Sequence, residues 1–140
     1  SRMFDKISEI EQETKTSTLQ VKREAEVALA ENQRLKQAGA TKEERDAWWI
    51  TLPQEVRDIA SDIAKDKELT PLEFKMRALS VEARSRVIND ELNTMRTEGV
   101  SKEEQDAWWN DLRDKGIITK NVNKRIRELR EETPSQVFAQ

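Results

Sequence analysis

Gly39-Ala40-Thr41-Lys42-Glu43-Glu44-Arg45-Asp46-Ala47-Trp48-Trp49-Ile50-Thr51-Leu52 is written again sixty residues later as Gly99-Val100-Ser101-Lys102-Glu103-Glu104-Gln105-Asp106-Ala107-Trp108-Trp109-Asn110-Asp111-Leu112. Nine of the fourteen positions are identical, Thr41 changes only to Ser101, and all four tryptophans of the chain lie inside the two copies. A phrase repeated at this period marks stacked or pseudo-symmetric supersecondary units, neither of which buries its apolar face alone. The repeat speaks of architecture more than of chemistry.

Both copies begin with the punctuation of a helix start. Gly39 and Gly99 suit the left-handed residue that closes a preceding helix. Thr41 with Glu44, and Ser101 with Glu104, have the spacing of a capping box. Pro53 and Gly116 come next, so each copy predicts helix, glycine turn, short tryptophan helix, break. Upstream, Ile7, Val21, Ala25, Ala28 and Leu35 recur on a near-heptad seam with Thr14, Thr18 and Asn32, predicting one long helix to about Gln37. Val56, Ile59, Ala60, Ile63 and Ala64 predict another from about Gln54 to Asp66. Thr70-Pro71-Leu72-Glu73 combines an N-cap, a first-turn proline and a glutamate three residues past the cap, the start of a long helix that carries Leu72, Met76, Leu79, Val87, Glu91 and Met95, with a break at Ser80 allowed. Thr119 can cap a last helix bearing Val122, Ile126 and Leu129.

Composition supports helix throughout. The 140 residues are 38% charged against a usual ~25% and 35% hydrophobic, with three glycines and three prolines. That is too few turn residues for an all-β domain or a glycine-rich phosphate loop, and Glu, Lys, Arg, Ala, Leu and Gln favour helix. With neither cysteine nor histidine, disulfides, thiolate nucleophiles, serine-histidine triads and nearly all zinc sites are excluded. No apolar run approaches the length of a bilayer span, and no secretion signal is visible. The sequence-based expectation is an all-α fold of five to six helices in two related halves. One helical domain would cover 1–133, its halves at about 19–67 and 79–132, with a loose tail over 134–140.

Four groups of residues are candidates for function. The tryptophans first read as packing: Trp48 with Leu52 and Trp49 with Leu52, together with Ala47, form one stripe, repeated by Trp108, Trp109 and Leu112. Within each pair, Trp49 and Trp109 lie toward the polar side and are the candidates for a partner anchor, tryptophan being enriched in binding hot spots. Asp58, Asp62 and Asp66 stand four apart along one helical line, but no calcium-loop spacing accompanies them and Arg57 and Lys65 offset them, so they read as a solvated face and no metal ligand is assigned. Charge is uneven: the formal net charge is −3, yet residues 113 to 130 sum to +5 and the remainder to −8. On the basic last helix, Lys120, Lys124, Arg125 and Arg127 are therefore candidates for an acidic protein surface or, through counterion release, for a nucleic-acid backbone.

The phrases Ser101 to Trp109 and Leu112-Arg113-Asp114-Lys115-Gly116-Ile117-Ile118-Thr119-Lys120-Asn121-Val122 resemble repeated helical segments of very large phage and mobile-element proteins, including internal virion proteins ejected with the genome. That resemblance spans about sixty residues per copy. It implies a noncatalytic spacer or docking segment, and a cytoplasmic or virion-associated setting. The first copy departs from it where Pro53 and Val56-Arg57-Asp58-Ile59 replace the Gly116-Ile117-Ile118-Thr119 turn. The functional expectation is thus a protein-interaction or structural module, with a protein partner or self-association, no catalytic residue, no cofactor and no membrane. The alternative is a nucleic-acid-associated module using the last helix.

Overall fold

The computed structural model describes residues 2–139, and the side chains of 2–132. The loose tail expected over 134–140 lies outside the residues whose side chains are described. Among the described residues there are helices and no strands. In chain order they are α1 Arg2–Thr14, α2 Thr18–Gln37, α3 Lys42–Trp49, α4 Gln54–Ala64, α5 Pro71–Arg77, α6 Val81–Thr97, α7 Lys102–Asp114 and α8 Lys120–Ala139.

Eight helices replace the expected five to six, because each of the two long helices is broken once. The N-terminal break falls in the polar run Lys15-Thr16-Ser17. Lys15 takes a left-handed φ of 55°, and Ser17 becomes an N-cap whose Oγ accepts from the Gln20 amide at 3.2 Å. The second break is the one allowed at Ser80, where α5 ends at Arg77 and α6 begins at Val81. The remaining punctuation lies where the sequence puts it. Gly39 and Gly99 have φ of 92° and 75°, and each closes its helix with the same pair of bonds, Gly39 N to Lys36 O and Ala40 N to Leu35 O, Gly99 N to Arg96 O and Val100 N to Met95 O. Thr70 and Thr119 cap α5 and α8 through the amides of Glu73 and Val122.

The chain divides into two compact units, residues 11–80 and residues 1–10 with 81–140. In the first unit α2 packs along α4. Val21, Ala25 and Ala28, spaced four and three apart, are buried against Val56, Ile59 and Ala60, and the two alanines let the helix backbones approach. Leu29, Trp48, Trp49, Leu52, Ile63 and Phe74 close this core as half-buried side chains.

In the second unit α6 packs along α8, burying Ile88, Leu92 and Met95 together with Val122, Ile126 and Leu129. Each such side chain is worth about 1.5–3 kcal/mol of burial. Ser85 stands sixty residues after Ala25 and is just as fully buried; its hydroxyl is satisfied by donating to Val81 O at 2.6 Å. The repeated phrase falls on α3 and α7, and the helices around it are unequal: α3 has 8 residues and α7 has 13, α4 has 11 and α8 has 20.

The aspartate line is not a solvated face. Asp62 is buried and receives Arg77 Nε at 2.7 Å and Nη2 at 3.0 Å, and Arg77 Nη2 also donates to Asp58 O at 3.2 Å. Asp66 is the left-handed residue that closes α4, with φ 51° and Lys67 N bonded to Asp62 O. Burying one carboxylate demands the buried guanidinium beside it, and the Asp58 carboxylate lies 3.9 Å from Arg77 Nη1, so all three aspartates serve the fold. The buried Glu91 of the second unit is likewise held by Arg2, whose Nε donates to Oε2 at 3.0 Å.

Candidate partner-binding site

The helices α3 and α7 expose their tryptophans to the same degree. Residues 41–50 and 101–110 share one burial pattern position by position: Arg45 or Gln105 and both tryptophans are half-buried, and every other residue is exposed. Ala47 and Ala107 are thus exposed, which removes them from the stripe expected for the rings. The rings themselves are neither core nor free surface. In α3 they also touch each other, edge to face with centroids 5.9 Å apart.

Around Trp109 the second unit forms a cavity of about 320 Å³. Leu92 and Arg96 of α6, Gln105 and Asp106 of α7, and Asn123, Ile126, Arg127 and Arg130 of α8 line it. Leu92 and Ile126 are buried and make an apolar floor beside the indole. Asn123, Arg127 and Arg130 fall on one line of α8, spaced four and three apart, which turns all three toward the cavity. Gln105 is fixed by donating Nε2 to Val100 O at 2.8 Å. None of Arg96, Arg127 and Arg130 makes an ion pair among the described residues. Among the described residues these three guanidiniums share the cavity with one carboxylate, Asp106.

Trp49 lines the corresponding cleft of the first unit, about 220 Å³, with Asn32, Arg45 and Asp46. Each of these stands sixty residues before a residue lining the Trp109 cavity. Among the described residues none from α4 lines this cleft. Arg45 Nε is buried without a hydrogen-bond partner, where Gln105 has Val100 O.

Of the residues singled out in the sequence, Trp49 lines one cleft, and Trp109 and Arg127 line the other. Lys120 and Lys124 are exposed on α8 and line neither. Arg125 is engaged: its Nε donates to Glu82 Oε2 at 2.6 Å and its Nη1 to Glu128 Oε2 at 3.4 Å. The bond from Arg125 holds the Glu82 carboxyl below the usual carboxylate range, and Glu82 in turn raises the Arg125 guanidinium. Arg96 and Arg130 were not singled out. Arg130 lies in the basic run, but Arg96 precedes the glycine turn and its place beside α8 depends on how α6 and α8 pack.

Among the described residues no group of three or more acidic side chains could hold a metal ion, and no helix is long and apolar enough to cross a membrane. No protein-family model matches the chain, and no curated protein or solved structure matches it.

Proposed function

We propose that the protein is a noncatalytic interaction module that binds a protein partner through its tryptophan clefts. The observation that carries this reading is the repetition of the cleft. A half-buried tryptophan, an exposed aspartate and a half-buried polar residue one turn before the ring line the cleft in both units, although the surrounding helices differ in length. A purely structural ring has no need of an open cleft beside it, whereas a partly exposed indole rimmed by charge is the composition of a binding hot spot. The resemblance of Ser101 to Trp109 to docking segments of very large phage proteins supports the same class of role.

The exposed Lys120, Lys124 and Arg127, spaced four and three apart on α8, favour nucleic acid as the second reading. One experiment weighs the two. A photo-crosslinking residue replaces Lys124 in the full-length chain, which is irradiated in its native host. In parallel, the wild type and a Lys120→Gln/Lys124→Gln/Arg127→Gln variant are titrated with duplex DNA and single-stranded RNA near physiological salt. Arg125 is left alone because its replacement would break the Glu82 pair. The expected result is a discrete protein adduct and no nucleic-acid binding. A wild-type dissociation constant in the low micromolar range or tighter for DNA or RNA, abolished in the variant, would overturn the protein-interaction reading.

A further inference from the structure

The Trp109 cavity has a more particular chemistry than the module reading requires, and on that reading its ligand can be described. We infer that it receives a short acidic peptide segment of the partner, with one large apolar side chain seated on Trp109 and flanking carboxylates on Arg96, Arg127 and Arg130. The first support is charge. Arg125, on the same helix, is neutralised by Glu82 and Glu128, whereas the three arginines of the cavity have no ion-pair partner among the described residues. Planar guanidiniums on a half-apolar wall bind carboxylates in a two-pronged manner and lose less hydration than lysines in doing so.

Size and the remaining lining narrow the ligand further. About 320 Å³ lies at the small end of the ~300–1,000 Å³ range of ligand pockets, room for one large side chain rather than an extended cofactor. Leu92, Ile126 and the indole supply the apolar seat for it. Asp106 on the wall can accept a peptide N–H, and the Asn123 side-chain amide has no protein partner among the described residues. With the three guanidiniums and the apolar seat, these groups match an acidic peptide segment that carries one large apolar side chain. In the Trp49 cleft the three arginines have no counterpart, so the ligand is specific to the second unit.

The test tracks indole N–H resonances by NMR in the full-length chain, with the Trp109 signal assigned through Trp109→Phe and the Trp49 signal through Trp49→Phe. Four probes are titrated: the capped peptides Glu-Glu-Phe-Glu-Glu, Glu-Glu-Ala-Glu-Glu and Lys-Lys-Phe-Lys-Lys, and an oligothymidylate. The expected outcome is a saturable shift of the Trp109 signal with the acidic phenylalanine peptide, a weaker response to the alanine peptide and none to the lysine peptide. Arg127→Gln/Arg130→Gln should weaken binding by at least about tenfold, as loss of charge-assisted hydrogen bonds does, while leaving the other indole signals in place. An unmoved Trp109 signal up to millimolar peptide, an equal response to the lysine peptide, or movement of the Trp49 signal alone overturns the inference. If the crosslink at position 124 still captures a protein in that case, the module reading survives it. A stronger response to the oligothymidylate than to any peptide overturns both.

Discussion

Trp49 and Trp109 occupy the same register of one repeated phrase, yet the clefts beside them have diverged in charge and in closure. The cleft at Trp109 is walled by α8, which brings Arg127 and Arg130 to the ring, whereas the residues at the same distance from the start of α4 are Ser61 and Ala64, and neither lines the cleft at Trp49. At the position one turn before each ring, Gln105 is anchored to Val100 O and Arg45 leaves Nε buried and unbonded. The phrase itself therefore fixes the tryptophan and its aspartate, and α8 adds to the second cleft a basic wall that the first lacks.

The units differ more in how each keeps a buried carboxylate, and here the largest effect is expected. Asp62 and Arg77 are both buried, whereas Glu91 is buried against an Arg2 side chain that is 44% exposed. Arg77→Met should destabilise by about 3–5 kcal/mol in urea denaturation, because it strands a charge out of water; adding Asp62→Leu should restore much of the loss. Arg2→Met should cost clearly less, since water already screens that guanidinium. Equal losses for the two single variants would erase the distinction.

A smaller effect is expected at the rings. Trp48 and Trp108 are half-buried rather than enclosed, so Trp48→Ala and Trp108→Ala should each cost about 2–3 kcal/mol, at or below the low end for a core tryptophan. Trp48 also meets Trp49 edge to face, a ring contact that Trp108 does not make with Trp109 among the described residues. The first variant should therefore be the worse by about 0.5–1 kcal/mol. A larger loss from Trp108→Ala would reverse the ranking.

Much of this was legible in the residues, for local reasons. Gly39, Gly99, Thr41, Ser101, Thr70 and Thr119 act within one helical turn, so their roles can be read from spacing alone. The break at Lys15 to Ser17 was not legible, because Thr14 and Thr18 carry the helical spacing of the seam through it and only Ser17, one cap candidate among several polar neighbours, marks it. Asp62 could not be told from Asp58 and Asp66, since its burial depends on Arg77 arriving from another helix. The same holds for the cleft: Trp109 and Arg127 stood out by type, but Arg96 joined them only through the packing of α6 on α8.

The caps offer a finer comparison. Thr41 accepts from Glu44 N at 3.1 Å and its own amide donates back to Glu44 Oε1 at 3.1 Å, a complete capping box. Ser101 accepts from Glu104 N at 3.2 Å, but the returning bond from its amide is absent among the described residues. The sequence predicts two boxes, and the structure completes one. Thr41→Ala and Ser101→Ala should each cost about 1 kcal/mol, each removing an acceptor for an orphan amide. Pro at Ala47 or Ala107 should cost about 3 kcal/mol or more by blocking the helix interior. Tolerance of Pro equal to tolerance of Ala would break the assignment of both short helices.

The smallest expected effect tests the returning bond itself through pH. The hydrogen bond from the Thr41 backbone amide, with a lesser one from its side chain, holds the Glu44 carboxyl below the usual carboxylate range. An acid whose proton is held more weakly in the folded chain than in the unfolded one stabilises the fold only while it is ionised. The stabilisation is therefore complete above the unfolded value of about 4.3 and disappears as pH falls through the lower folded value. Glu44→Ala should lower the urea midpoint at pH 7, and the gap to wild type should close progressively below about pH 4. Glu104→Ala, with no returning bond to lose, should move the pH 7 midpoint less. A Glu44→Ala gap that stays constant down to about pH 2.5, well below the unfolded value, or an equal pH 7 loss in Glu104→Ala, would show that the two caps are energetically alike despite their different bonds.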